Sequence, residues 1–170
     1  MCGNATRSGY AFRLVTAIVP VRTEHAPIRT YHPRQGRLSG RHRTALAELG
    51  PRLTLAVAGG PLDLAEVFGR TGPVVLEIGS GMGEATAAMA AGDPGRDYLA
   101  VEVHRPGIAN LLALSGVAGL TNLRVVEGDA LDLLRDRIRT GALDAVHVFF
   151  PDPWPKARHH KRRLLSLIHI

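Results

Sequence analysis

The chain has 170 residues, 45% of them hydrophobic, which suits one domain with a buried core and hardly allows two. Lys and Arg number 21 against 15 Asp and Glu, a formal charge of +6, and the single cysteine, Cys2, excludes an internal disulfide or a thiolate metal centre. No apolar run approaches the roughly 20 residues that cross a bilayer, so no membrane association and a reducing, cytoplasmic setting are expected.

The positive charge is concentrated at the two ends. Between Met1 and Arg43 there are eight arginines and one acid, Glu24, and between Lys156 and Arg163 there are five cations and no acid. Such flanks suit a polyanion. Residues 1–33 carry Pro20, Pro27 and Pro33 and no sustained period, and are expected to form a disordered basic arm. An Arg-rich, acid-poor start also suits an organelle transit peptide. Residues 34–72 read as a helical and connecting segment. It opens with the basic turn Arg34-Gln35-Gly36-Arg37, continues with a short helix from about Thr44 to Leu49 that Gly50-Pro51 stops, and has a second short helix at Leu62 to Phe68.

From residue 73 the pattern alternates. A buried strand from Val74 runs into Gly79-Ser80-Gly81-Met82-Gly83, and an alanine-rich helix follows from Glu84 to Ala91. Asp97 to Glu102 reads as the next strand. Pro106 opens a helix that Gly119 closes, Leu123 to Glu127 is a third strand, Ala130 to about Ile138 a helix, and Ala145 to Phe150 a fourth strand. Strands alternating with helices call for a parallel α/β sheet covered on both faces, with ligands at the carboxyl ends of its strands.

Those ends carry acids: Glu77, Glu102, Asp129 and Asp152 lie at or just beyond the four strands. Glu102 suits a pair of ribose hydroxyls. The glycine spacing decides between nucleotide classes, because a dinucleotide fingerprint needs glycine at position 84, where Glu84 would repel a pyrophosphate. The block Phe149-Phe150-Pro151-Asp152-Pro153-Trp154-Pro155-Lys156 then gives an acid fixed between prolines, an aromatic ring and a dense cationic strip. It could stack a base on Trp154, hold the base edge with Asp152, and meet phosphates with Lys156, Arg158, Lys161, Arg162 and Arg163.

Leu76 to Glu84, Val101 to Gly107, Leu120 to Arg124 and Phe149 to Arg163 together closely resemble the bacterial tRNA (guanine-N7)-methyltransferases, over about Ile28 to Leu165. The resemblance implies a Rossmann-like methyltransferase that takes its methyl group from S-adenosylmethionine and places it on a variable-loop guanosine of tRNA, position 46, with no metal and no obligatory protein partner. It also implies roles for particular residues. Glu77, Gly79, Gly81, Gly83, Glu102, Asp129 and Asp152 would line the cofactor pocket, with Asp152 also the catalytic acid. Lys156 and Trp154 would meet the substrate, and Arg158, Lys161, Arg162 and Arg163 the RNA. Ser80 stands where relatives often have a larger residue.

A sheet of this class has about seven strands, and the pattern here ends after the fourth. The expectation is an incomplete methyltransferase domain at 73–165, short of its last three strands, with an atypical tail at 166–170 and an exposed edge on the fourth strand. Two other readings follow: a truncated module that binds RNA and cofactor without turnover, and a methyltransferase acting on exocyclic amines of nucleic acid.

Overall fold

The sheet is wholly parallel and has five strands, in the order β1-β4-β3-β2-β5. The computed structural model describes residues 36–149 and Lys156. The strands are β1 (Thr54–Ala56), β2 (Val74–Ile78), β3 (Asp97–Glu102), β4 (Leu123–Glu127) and β5 (Ala145–Val148), and the helices are α1 (Gly40–Glu48), α2 (Gly50–Leu53), α3 (Leu64–Phe68), α4 (Glu84–Gly92), α5 (Arg105–Ala118) and α6 (Ala130–Asp136).

The α/β, Rossmann-like fold class is as the sequence indicated, with one more strand than expected. β1 is the addition, at the edge beside β4, with Thr54 registered to Val125 and Ala56 to Glu127. Three residues are too few to show an alternation. Its strand identity comes from the partner that β4 offers, not from local preference. The expected fourth strand ends earlier, at Val148 rather than Phe150, and Phe150 lies outside the described residues.

Both faces of the central strands are buried, which is why they read as continuous apolar runs. On one face Val75, Tyr98, Ala100, Leu123 and Val125 pack under Ala45 of α1, Ala87 and Ala90 of α4, and Ile108, Leu111 and Leu112 of α5. On the other face Leu76, Leu99, Val101 and Val126 pack under Phe68 of α3 and Leu133 of α6. Each Val, Leu, Ile or Phe among them contributes roughly 1.5–3 kcal/mol when taken fully from water.

Helix starts follow their caps. α1 begins at Gly40, ahead of the expected Thr44, because the Ser39 hydroxyl accepts from the His42 amide at 3.2 Å. Asp63 accepts from the Ala65 and Glu66 amides and so delays α3 to Leu64. Gly50-Pro51 does not end helical structure as expected. Pro51 sits in the first turn of α2, where its missing amide hydrogen costs nothing.

Buried polar groups fix the amino-terminal edge of the sheet. Asp97, 1% exposed, receives Arg70 at 2.7 Å, and the Asn122 side-chain amide donates to the carbonyls of Ala90, Asp93 and Arg96. The opposite edge is left to the loops.

Candidate active site

Strand order reverses at β2, since β3 and β4 lie on one side of it and β5 on the other. Open α/β sheets hold their ligands outside the carboxyl ends of strands at such a point. Here the loop leaving β2 is Gly79 to Gly83. Gly79, Gly81 and Gly83 all have positive φ, at 76°, 59° and 82°. At Gly83 a side chain is also excluded by packing, because a Cβ would lie 2.6 Å from Cβ of Leu111.

Glu102 shapes this loop directly. Its Oε2 accepts from the Gly81 amide at 2.7 Å, and its Oε1 accepts from the amides of Val103 at 2.7 Å and His104 at 2.8 Å. Three main-chain donors therefore occupy most of the acceptor capacity of one carboxylate. The loop is tied to the end of β3, and Gly107 completes the fit, since a Cβ there would collide with the Gly81 carbonyl oxygen. Sequence reasoning assigned Glu102 to an external ligand. In the structure it also carries this internal task, and a lone pair of Oε2 is left over for a hydroxyl.

Glu77 contrasts with it. It is 3% exposed, at the carboxyl end of β2 beneath α4, and its Oε2 meets no hydrogen-bond donor among the described residues. Burial pushes its carboxyl above the ordinary carboxylate range. The Thr86 hydroxyl pulls it back, and the charge of Glu102 adds to the rise. That hydroxyl is near enough to be felt but does not form a well-aligned bond, for Thr86 Oγ1 is itself buried without a partner among the described residues. The Ser80 hydroxyl is also shielded and unpartnered among the described residues. A carboxylate and two hydroxyls with unused capacity at one loop can receive amines and hydroxyls of a ligand.

Phosphate is disfavoured in the same place. Glu84 puts a carboxylate in the first turn of α4, held by the Asn110 side chain, which donates to Glu84 Oε1 at 3.3 Å and to the Met82 carbonyl at 2.7 Å. The negative charge stands where a pyrophosphate would need the helix amides. Asn110, Gly107 and Thr86 were not singled out from the sequence. A lone amide amid Ile108, Leu111 and Leu112 was the signal for Asn110.

Asp129 lies at the carboxyl end of β4 and caps α6, its Oδ1 accepting from the Leu131 amide at 2.9 Å. The residue before it, Gly128, donates its amide to the Glu102 carbonyl at 3.0 Å. Glu77, Glu102 and Asp129 thus lie along one edge, with Glu102 registered to Glu127 across β3 and β4. On the other side of β2, Val148 pairs with Ile78, so the backbone leaves the sheet at Phe149 next to Gly79. Phe149 is partly exposed and packs against His147, with ring centroids 5.4 Å apart. Lys156 is exposed. Asp152, Trp154, Arg158, Lys161, Arg162 and Arg163 lie outside the described residues. Among those described, no group of His, Cys, Asp and Glu could hold a metal ion, and no helix is long and apolar enough to cross a membrane.

Comparison with known proteins bears on the family of the chain. A family model described as "Putative methyltransferase" matches residues 71–168. A tRNA (guanine-N(7)-)-methyltransferase of Streptomyces avermitilis is 56% identical over 139 residues, 82% of this chain and 48% of the relative. Proteins of the same name from Nitrosomonas eutropha and Nitrosospira multiformis are 51% and 53% identical, over 85% and 84% of this chain and 64% and 62% of theirs. The chain thus spans about half to two thirds of the length of the curated relatives it matches.

Proposed function

The chain belongs to the methyltransferase family of the bacterial tRNA (guanine-N7)-methyltransferases, and on that footing we propose that it methylates N7 of a guanosine in the variable loop of tRNA, at position 46. The observation that carries this reading is the pairing of β2 with β5, which brings the glycine loop held by Glu102 beside Phe149, the first residue in sequence of the block that ends at Lys156. One suits a donor and the other a base with flanking phosphates.

S-adenosylmethionine would supply an electrophilic methyl group carried on a sulfonium. The residues present fit it. The ligand carries amine and hydroxyl groups and a positive charge but no phosphate, which matches the unpartnered Glu77 and Ser80 atoms and the anion-excluding Glu84. Glu77, Glu102 and Asp129 would hold it, against Gly79, Gly81 and Gly83.

The acceptor nitrogen has a free lone pair and no proton to lose, so the site needs no strong base. Orientation and charge do the work. Asp152 has the chemistry to accept from the amino edge of guanine and to stabilise the positive charge that appears on the purine. Trp154 would stack the base, and Lys156, Arg158, Lys161, Arg162 and Arg163 would meet the backbone of the RNA.

The test is incubation with labelled S-adenosylmethionine and tRNA lacking the modification, beside a version extended to the length of the relatives. Label on guanine N7 supports the proposal, and label on an exocyclic amine of adenine or cytosine overturns it. Labelling by the extended version alone would make this chain a binding module. In whichever version turns over, Asp152→Asn is expected to lower kcat about 100-fold at saturating tRNA and donor. Full turnover would remove Asp152 from catalysis.

A further inference from the structure

We propose that residues 57–62 form a strap that grips α6 at both ends and so positions Asp129, with the contact between Val57 and Gly128 as its working point. At the near end β1 runs beside β4 up to the pair Ala56 and Glu127, which brings Val57 alongside Gly128. A Cβ on Gly128 would lie 2.6 Å from Cβ of Val57 and 2.8 Å from each of its γ carbons. Real Cβ atoms do not approach so closely, and the nearest of these Val57 atoms is attached to backbone, so it cannot swing away. Gly128 is held on its other side as well, because its amide donates to the Glu102 carbonyl at 3.0 Å. The turn that carries Asp129 is thus wedged between the strap and the end of β3.

At the far end Arg137, the C-cap of α6, donates from Nη1 to the Ala58 carbonyl at 3.1 Å, and its own carbonyl accepts from the Leu62 amide at 2.8 Å. Gly59, at a positive φ of 133°, leaves the space that the guanidinium fills. Helix α6 therefore cannot slide or tilt relative to the sheet without breaking a strap contact. Asp129 is its first cap, and the helix start fixes where the carboxylate stands.

This inference rests on Asp129 lining the donor pocket only for its functional consequence, and two measurements separate the two claims. The first is amide exchange at Leu131, the hydrogen that Asp129 Oδ1 accepts, in the ligand-free chain. Gly128→Ala is expected to lower its protection about tenfold, and adding Val57→Gly, which removes the three atoms nearest the new methyl, is expected to restore it to within threefold. The second is the affinity for S-adenosylhomocysteine by calorimetry, expected to fall and recover in parallel. Unchanged Leu131 exchange in Gly128→Ala, or a loss that Val57→Gly does not repair, overturns the strap. If Gly128→Ala does not fold, Val57→Ile loads the same contact from the strap side, and unchanged Leu131 exchange in that variant overturns it equally. Exchange that responds as expected in the variants, together with a wild-type chain that binds no S-adenosylhomocysteine, would leave the strap standing and refute the donor reading instead.

Discussion

Glu77 and His147 sit in register on neighbouring strands, and each keeps a buried polar atom without a partner among the described residues. Their titrations oppose one another. Burial, with Glu102 adding to it, raises the Glu77 carboxyl. Over a window that opens at the ordinary carboxylate range and extends upward, the folded chain keeps a proton that the unfolded chain has released. Stability therefore falls as pH rises through that window. For His147, burial first and Arg96 second push the imidazole below its ordinary range, so acidification through that range protonates the unfolded chain first, and stability falls as pH drops. Glu77→Gln is expected to remove the first dependence and leave the second. The fall in melting temperature with rising pH above the ordinary carboxylate range should disappear, leaving the decline on acidification through the histidine range unopposed. An unaltered profile would show that Glu77 is ionised and satisfied in the fold.

At the level of elements, Asn122 joins the end of α4 to the turn before β3 and to the start of β4. Its one amide group serves three carbonyls while 7% exposed. Asn122→Ala strands those acceptors, and a loss of about 2 kcal/mol in chemical denaturation, with no change in donor affinity, is the expected outcome. The strands 97–102 and 123–127 were legible in the sequence to the residue, because short buried apolar runs, Tyr98 to Val101 and Val125-Val126, are followed at once by an acid and a turn. β1 was not legible. Thr54-Leu55-Ala56 has no local signature, and its pairing depends on Val125 and Val126, distant in the chain. The glycine loop and the acids at the strand ends could be read from spacing. The division of labour between the acids could not, because whether a carboxylate faces main-chain amides, as Glu102 does, or keeps an oxygen without a donor among the described residues, as Glu77 does, is settled by tertiary placement.

For the molecule as a whole, the charge distribution makes a claim about ionic strength. Five cations lie between Lys156 and Arg163, next in sequence to the block that follows β5. If they meet phosphates, replacing Arg158, Lys161, Arg162 and Arg163 together with Gln should reduce the slope of log affinity for tRNA against log salt by about 0.7 to 0.9 for each phosphate no longer neutralised. Fluorescence anisotropy over a salt series would measure it. An unchanged slope would assign the cationic strip to solvent.

The order of the strands also has a consequence in time. Val74 meets Asp97 across a short crossover, but Thr54 must wait for Val125, with two other strands made in between. Closing the longer loop costs more entropy and is repaid by only three residues of pairing. We therefore expect β2 and β3 to join first and β1 to dock after them. In pulse-labelled exchange during refolding, the amides of residues 54–56 should gain protection after those of residues 74–78, and simultaneous protection would contradict this order. The wall that fixes the Gly128-Asp129 turn would then set after the strands that carry the glycine loop and Glu102. A nascent chain would acquire its glycine loop before it acquired a settled place for the third acid.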